Sequence, residues 1–106
     1  MLTFAQARAL AEKWIELVSD NSAELVPERT VAKPYGWVFF WESSEAVKNP
    51  NRVEAQLVGN APFLVLRDSL ELRVLGTAQP LERYLEILER ELPAATLARR
   101  AEQPTW

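Results

Sequence analysis

The sequence predicts an α+β domain of order α-β-β-β-β-α, a four-stranded antiparallel meander sheet with the N- and C-terminal helices packed on one face. Three observations predict it. Apolar residues recur at spacings of three and four near both ends of the chain, as in helices with one buried face. Short runs rich in aromatic and β-branched residues fill the middle, as in strands. The strands follow one another in sequence, so antiparallel pairing of neighbours is the simplest topology.

The first helix is expected over residues 3–19. Thr3 suits the N-cap, and Gln6 three residues on completes a capping box. Ala7, Leu10, Ala11, Trp14 and Val18 form its apolar stripe, and Ser19 to Ser22 end it with turn-favouring residues. Residues 24–33 read as an edge strand with an irregularity at Pro27, which lacks a backbone donor. Lys33-Pro34-Tyr35-Gly36 reads as a turn. Gly36 to Trp41 carries the strongest strand signal. Alternation puts Trp37, Phe39 and Trp41 on one face and Val38, Phe40 and Glu42 on the other. Both faces are apolar, which places the strand inside the sheet.

A long connection spans residues 43–61, with a short helical turn expected at Ser43-Ser44-Glu45 and breaks at Asn49-Pro50-Asn51 and Gly59-Asn60-Ala61-Pro62. Gly59-Asn60 is expected to need positive φ. Phe63 to Arg67 and Leu70 to Leu75 then form a hairpin around Asp68-Ser69. In its second arm Leu70, Leu72 and Val74 are expected on the buried face, and Glu71 and Arg73 on the wet one. Pro80 suits the first position of a helix whose stripe is Leu81, Tyr84, Leu85, Leu88 and Leu92. The main domain is thus 1–92. Residues 93–106 are an extension, with a short helix over part of it and an end that frays unless Trp106 finds a pocket.

Composition narrows the function. The chain has 106 residues, 12 Lys and Arg against 15 Asp and Glu, no histidine and no cysteine. That length suits one core. Without cysteine there is no disulfide or thiolate metal site, and without histidine the commonest general base and metal ligand are missing. No phosphate-binding glycine motif occurs, and Gly36, Gly59 and Gly76 are the only glycines. The acids Glu12, Glu16, Glu82, Glu86 and Glu89 fall on solvent-facing helical positions, and Glu42 reads as a strand-end charge. The expectation is therefore no enzyme, no catalytic residue, no cofactor and no metal. The lack of a basic stripe argues against nucleic acid. No apolar run is long enough to span a bilayer, and the N-terminus does not read as a signal peptide, so no membrane association and a cytoplasmic location are expected.

Protein binding is left. Five large rings crowd Tyr35 to Trp41, more than one face of a single-layer sheet hides. Tyr35 and Trp41, at the strand ends, are expected to stay partly exposed and to serve as interface anchors. Arg67, Glu71 and Arg73 supply a polar rim on the open sheet face. That face or an edge also suits a homodimer.

Three blocks carry a family resemblance: Lys33-Pro34-Tyr35-Gly36-Trp37-Val38-Phe39-Phe40-Trp41, Leu57-Val58-Gly59-Asn60-Ala61-Pro62, and Val74-Leu75-Gly76-Thr77-Ala78 with Pro80-Leu81-Glu82. In this order and spacing the chain resembles the immunity protein 35 family, which includes YrhB-type small bacterial proteins, over about residues 3–90. The resemblance implies a bacterial α+β domain encoded near a polymorphic toxin, which it neutralises by direct binding to the cognate toxin domain. It also implies an alternative, a chaperone-like or general protein-interaction role of the YrhB type. It brings no catalytic residues.

Overall fold

The computed structural model describes residues 1–48 and 61–106. The expected breaks at Asn49-Pro50-Asn51 and Gly59-Asn60 lie outside the described residues. Helix α1 spans Phe4–Ser19. Strand β1 (Ala23–Leu25), a 3-10 turn at Pro27–Arg29, β2 (Val31–Lys33), β3 (Gly36–Phe39), β4 (Trp41–Ser43) and helix α2 (Ser44–Lys48) follow. Strands β5 (Phe63–Leu66) and β6 (Leu72–Val74) precede helices α3 (Leu81–Glu91) and α4 (Ala94–Leu97). The class is α+β, and every strand pairing among the described residues is antiparallel.

The meander is only partly as expected. Strands β2-β3-β5-β6 form a four-stranded sheet in that order, while β1 and β4 form a separate two-stranded ribbon. The cause is local. Pro27 opens the 3-10 turn that divides the expected edge strand into β1 and β2. At Phe40 the aromatic strand leaves the main sheet, and Trp41 pairs with Leu25 in the ribbon. The Val26 N–H holds this bend by donating to the Phe40 carbonyl at 2.8 Å.

The helices do not share a face. Phe4, Ala7, Ala11 and Ile15 of α1 pack with Trp37, Phe39, Phe63 and Val65. Leu85 and Leu88 of α3 pack with Tyr35, Val38, Leu64 and Leu66 on the opposite side. The reason is the composition of the central strands. Every residue of β3 and β5 is buried, so each apolar sheet face requires its own cover. The face expected to be open is therefore filled.

The α1 capping box forms as expected: Thr3 Oγ1 accepts from the Gln6 N–H at 3.3 Å, and Gln6 Oε1 accepts from the Thr3 N–H at 3.0 Å. The buried stripe, however, is rotated. Ala7 and Ala11 hold their expected places, but Leu10 and Val18 are exposed. Small alanines at the centre let the helix lie close to the indole of Trp37, which is fully buried. A bulkier residue at either alanine would overpack that contact.

The C-terminal extension closes the core. The Glu102 carboxylate accepts from the Phe4 N–H at 2.8 Å, and the Glu102 carbonyl accepts from Trp37 Nε1 at 2.8 Å. Trp106 does find a pocket. Its ring meets Phe4 edge-on at 5.3 Å and Phe39 at 6.0 Å, and Arg8 lies over it at 4.7 Å. The carbonyl of Trp106 accepts from Arg8 at 2.7 Å. Before this strap, Arg99 Nη1 donates to Asp68 at 2.9 Å, and that pairing holds the Asp68 carboxyl below the usual carboxylate range.

Candidate protein-binding surface

The five residues expected to form a binding surface do not lie together. Tyr35 is a core residue, 2% exposed. Its hydroxyl donates to the Glu89 carboxylate at 2.6 Å, and Lys33 stands 3.9 Å from the same carboxylate. Burial first, then this hydrogen bond and the nearby negative charge, push the phenol well above its ordinary value. The expectation that Tyr35 stays partly exposed is thus corrected: α3 lies over it.

Arg67 is buried as well. Its guanidinium stands 5.3 Å from the Trp37 ring and donates to the carbonyls of Leu2 and Arg100, each at 3.4 Å. Its own carbonyl accepts from the Leu2 N–H at 2.8 Å. Arg67 therefore joins both chain ends to the sheet and supplies no rim. Glu71 and Arg73 do sit at the surface, paired at 3.1 Å on the outer strand β6.

Trp41 is half-buried, and its Nε1 donates to the Ala61 carbonyl at 2.9 Å. It borders a cavity of about 310 Å³ together with Arg29, Phe40, Glu42, Pro62 and Leu81. Arg29 lies 4.3 Å above the Phe40 ring and 3.8 Å from Glu42 Oε1. Among the described residues, the second carboxylate oxygen of Glu42 is buried with no hydrogen-bond donor. This geometry binds Arg29 loosely.

The other strand of the ribbon lines a larger groove, of about 510 Å³, between β1 and α1. Ile15, Ala23, Leu25 and Trp106 give it apolar walls, and Glu12, Glu16 and Glu24 rim it. Among the described lining residues Arg8 is the one base, and it is already engaged, with Nε 2.7 Å from Glu12 and Nη1 on the Trp106 carbonyl. The rim is thus negative around an apolar floor, which suits a basic protein surface with an apolar centre. No local pattern in the chain signals this groove. Glu12 and Glu16 are ordinary helix acids until Trp106 and Glu24 arrive beside them.

Among the described residues, no helix is long and apolar enough to cross a membrane. The family model described as immunity protein 35 matches residues 5–87. A relative from Escherichia coli (strain K12), described as uncharacterized protein YrhB, is 36% identical over 89 residues, which is 84% of this chain and 90% of that one. No solved structure matches the chain.

Proposed function

The chain belongs to the immunity protein 35 family, and from that premise we propose that it is a non-catalytic binding domain that neutralises a cognate bacterial toxin by direct contact. Family membership is the observation that carries this reading. The acidic groove supports it by giving such a partner a place to sit, and Glu12, Glu16, Glu24 and Trp106 are its proposed contacts. Trp41 and Glu42 lie opposite Leu25 and Glu24 on the paired strand β4 and line a separate cavity. The toxin face presented here is basic, with an apolar residue for the groove floor. Its binding is steered by charge and weakens as salt rises.

Co-expression with the toxin encoded beside this gene tests the reading. Growth is rescued and a complex copurifies. Glu16→Lys with Glu24→Lys abolishes both while the thermal unfolding of the free protein changes little. If no adjacent toxin is neutralised or bound, the proposal fails. The exposed side chains of Leu17 and Leu70 favour a second reading, chaperone-like binding of unfolded chains. That reading requires suppressed aggregation of several unrelated clients, and unchanged aggregation at molar excess removes it.

A further inference from the structure

Strand β6 is the outer strand of the four-stranded sheet. The Leu66 N–H donates to the Glu71 carbonyl, and the Leu75 N–H to the Pro62 carbonyl. These two bonds fix the phase of the ladder. Glu71, Arg73 and Leu75 turn their backbone groups toward β5, so Leu72 and Val74 turn theirs outward. Among the described residues, no strand pairs with that outer edge.

The side chains along the edge alternate. Leu72 and Val74 lie on the α1 face, opposite Val65 and Phe63 in register. Leu70 joins this strip, lining a groove with Leu2, Ala9 and Leu10 of the N-terminal region. Leu70 is 63% exposed, Val74 56% and Leu10 42%. Leu70 also holds φ at 60°, a left-handed conformation that is costly for leucine and that glycine or asparagine normally fills. Glu71 and Arg73 lie on the α3 face.

We propose that β6 pairs antiparallel with β6 of a second copy of this chain, with Leu72 on the two-fold axis. In that register Leu72 opposes Leu72 of the second copy, and its outward N–H and C=O form a reciprocal hydrogen-bonded pair. Glu71 then opposes Arg73 and Arg73 opposes Glu71, so the charged face is complementary. On the other face Leu72 meets its own counterpart, so the axis sets apolar against apolar there. Moving the axis by one residue, to Arg73, would set two guanidinium groups against each other. Charges normally keep an outer strand from pairing with itself. Here the two signs alternate so that a two-fold axis turns them into attraction. The result is a continuous eight-stranded sheet, with the Leu10 and Leu70 strips of both copies flanking its centre. This pairing does not rest on toxin binding, because the acidic groove is lined by α1, β1 and the C-terminus and not by β6.

A short strand pair makes a small interface, so the full-length protein should dimerise with a dissociation constant on the order of 10 μM. Sedimentation equilibrium across that range tests it. Glu71→Arg alone and Arg73→Glu alone each weaken the dimer by about tenfold or more. An equimolar mixture of the two variants restores it, since each then faces the opposite sign. That rescue cannot come from within one chain, where both variants carry like charges at 71 and 73. A wild type that stays monomeric at hundreds of micromolar, on the order of tenfold above the expected constant, overturns the proposal. So does a dimer that neither variant weakens, or a mixture that fails to re-form it.

Discussion

Replacing Trp106 by alanine tests the claim that the last residue belongs to the core. The indole is half-buried against Phe4 and Phe39. Removing roughly 100 Å² of buried ring loses about 2.5 kcal/mol. Its edge-on contacts with Phe4 and Phe39 add about 1 kcal/mol. Against this, Trp106 Nε1 is buried without an acceptor among the described residues, and relieving it returns about 1–2 kcal/mol. The net cost is about 2 kcal/mol, which lowers Tm by roughly 8–10 °C in a domain of this size. Trp106→Phe keeps most of the ring and discards the unpaired N–H, so it should lie within about 0.5 kcal/mol of the parent. Thermal unfolding followed by far-ultraviolet circular dichroism measures both. An alanine variant with unchanged Tm, or a phenylalanine variant as damaged as the alanine one, would mean that Trp106 does not pack in the core.

Other outcomes follow from the same contacts. Arg67→Met strips the donors from the Leu2 and Arg100 carbonyls and should cost about 2–3 kcal/mol in urea unfolding. Gly36→Ala forces a methyl to within 2.2 Å of the Val65 carbonyl oxygen; β3 and β5 must part, and a loss of about 3 kcal/mol is expected in the same assay. The raised value of Tyr35 favours the protonated phenol in the fold, so its contribution is complete below about pH 10 and is lost as pH climbs above it. Absorbance titration should therefore show Tyr35 ionising only as the protein unfolds, and Tyr35→Phe should remove that part of the alkaline loss. For Asp68 the direction is opposite. Its lowered value makes the Arg99 pairing complete above the ordinary carboxylate range and lost as pH falls through the depressed value. Asp68→Asn should flatten that acid limb, and added salt should mimic the substitution because the pair is exposed.

Local chemistry made much of the fold legible. Thr3 with Gln6 marks the start of α1, and the period-two alternation of Trp37 to Phe40 assigns each ring to the correct face. Long-range geometry was not legible. The stripe containing Leu10 and Val18 looks as apolar as the one containing Phe4 and Ile15, and only the position of the sheet selects between them. Of the expected binding residues, Tyr35 and Arg67 were misplaced for one reason. A sheet with one bare face would expose both, whereas α3 covers Tyr35 and the returning chain ends cover Arg67.

The α+β class, the buried aromatic strand, the hairpin and the family are all written in local patterns, because they depend on periodicity, turn residues and motif spacing within short stretches. Which helix covers which face, and how residues 102–106 lock the core, follow only from the packed chain. The same packing decides which charges meet. Glu24 and Trp106 are far apart in the chain, and their meeting in one groove depends on how the chain closes, which no local pattern encodes.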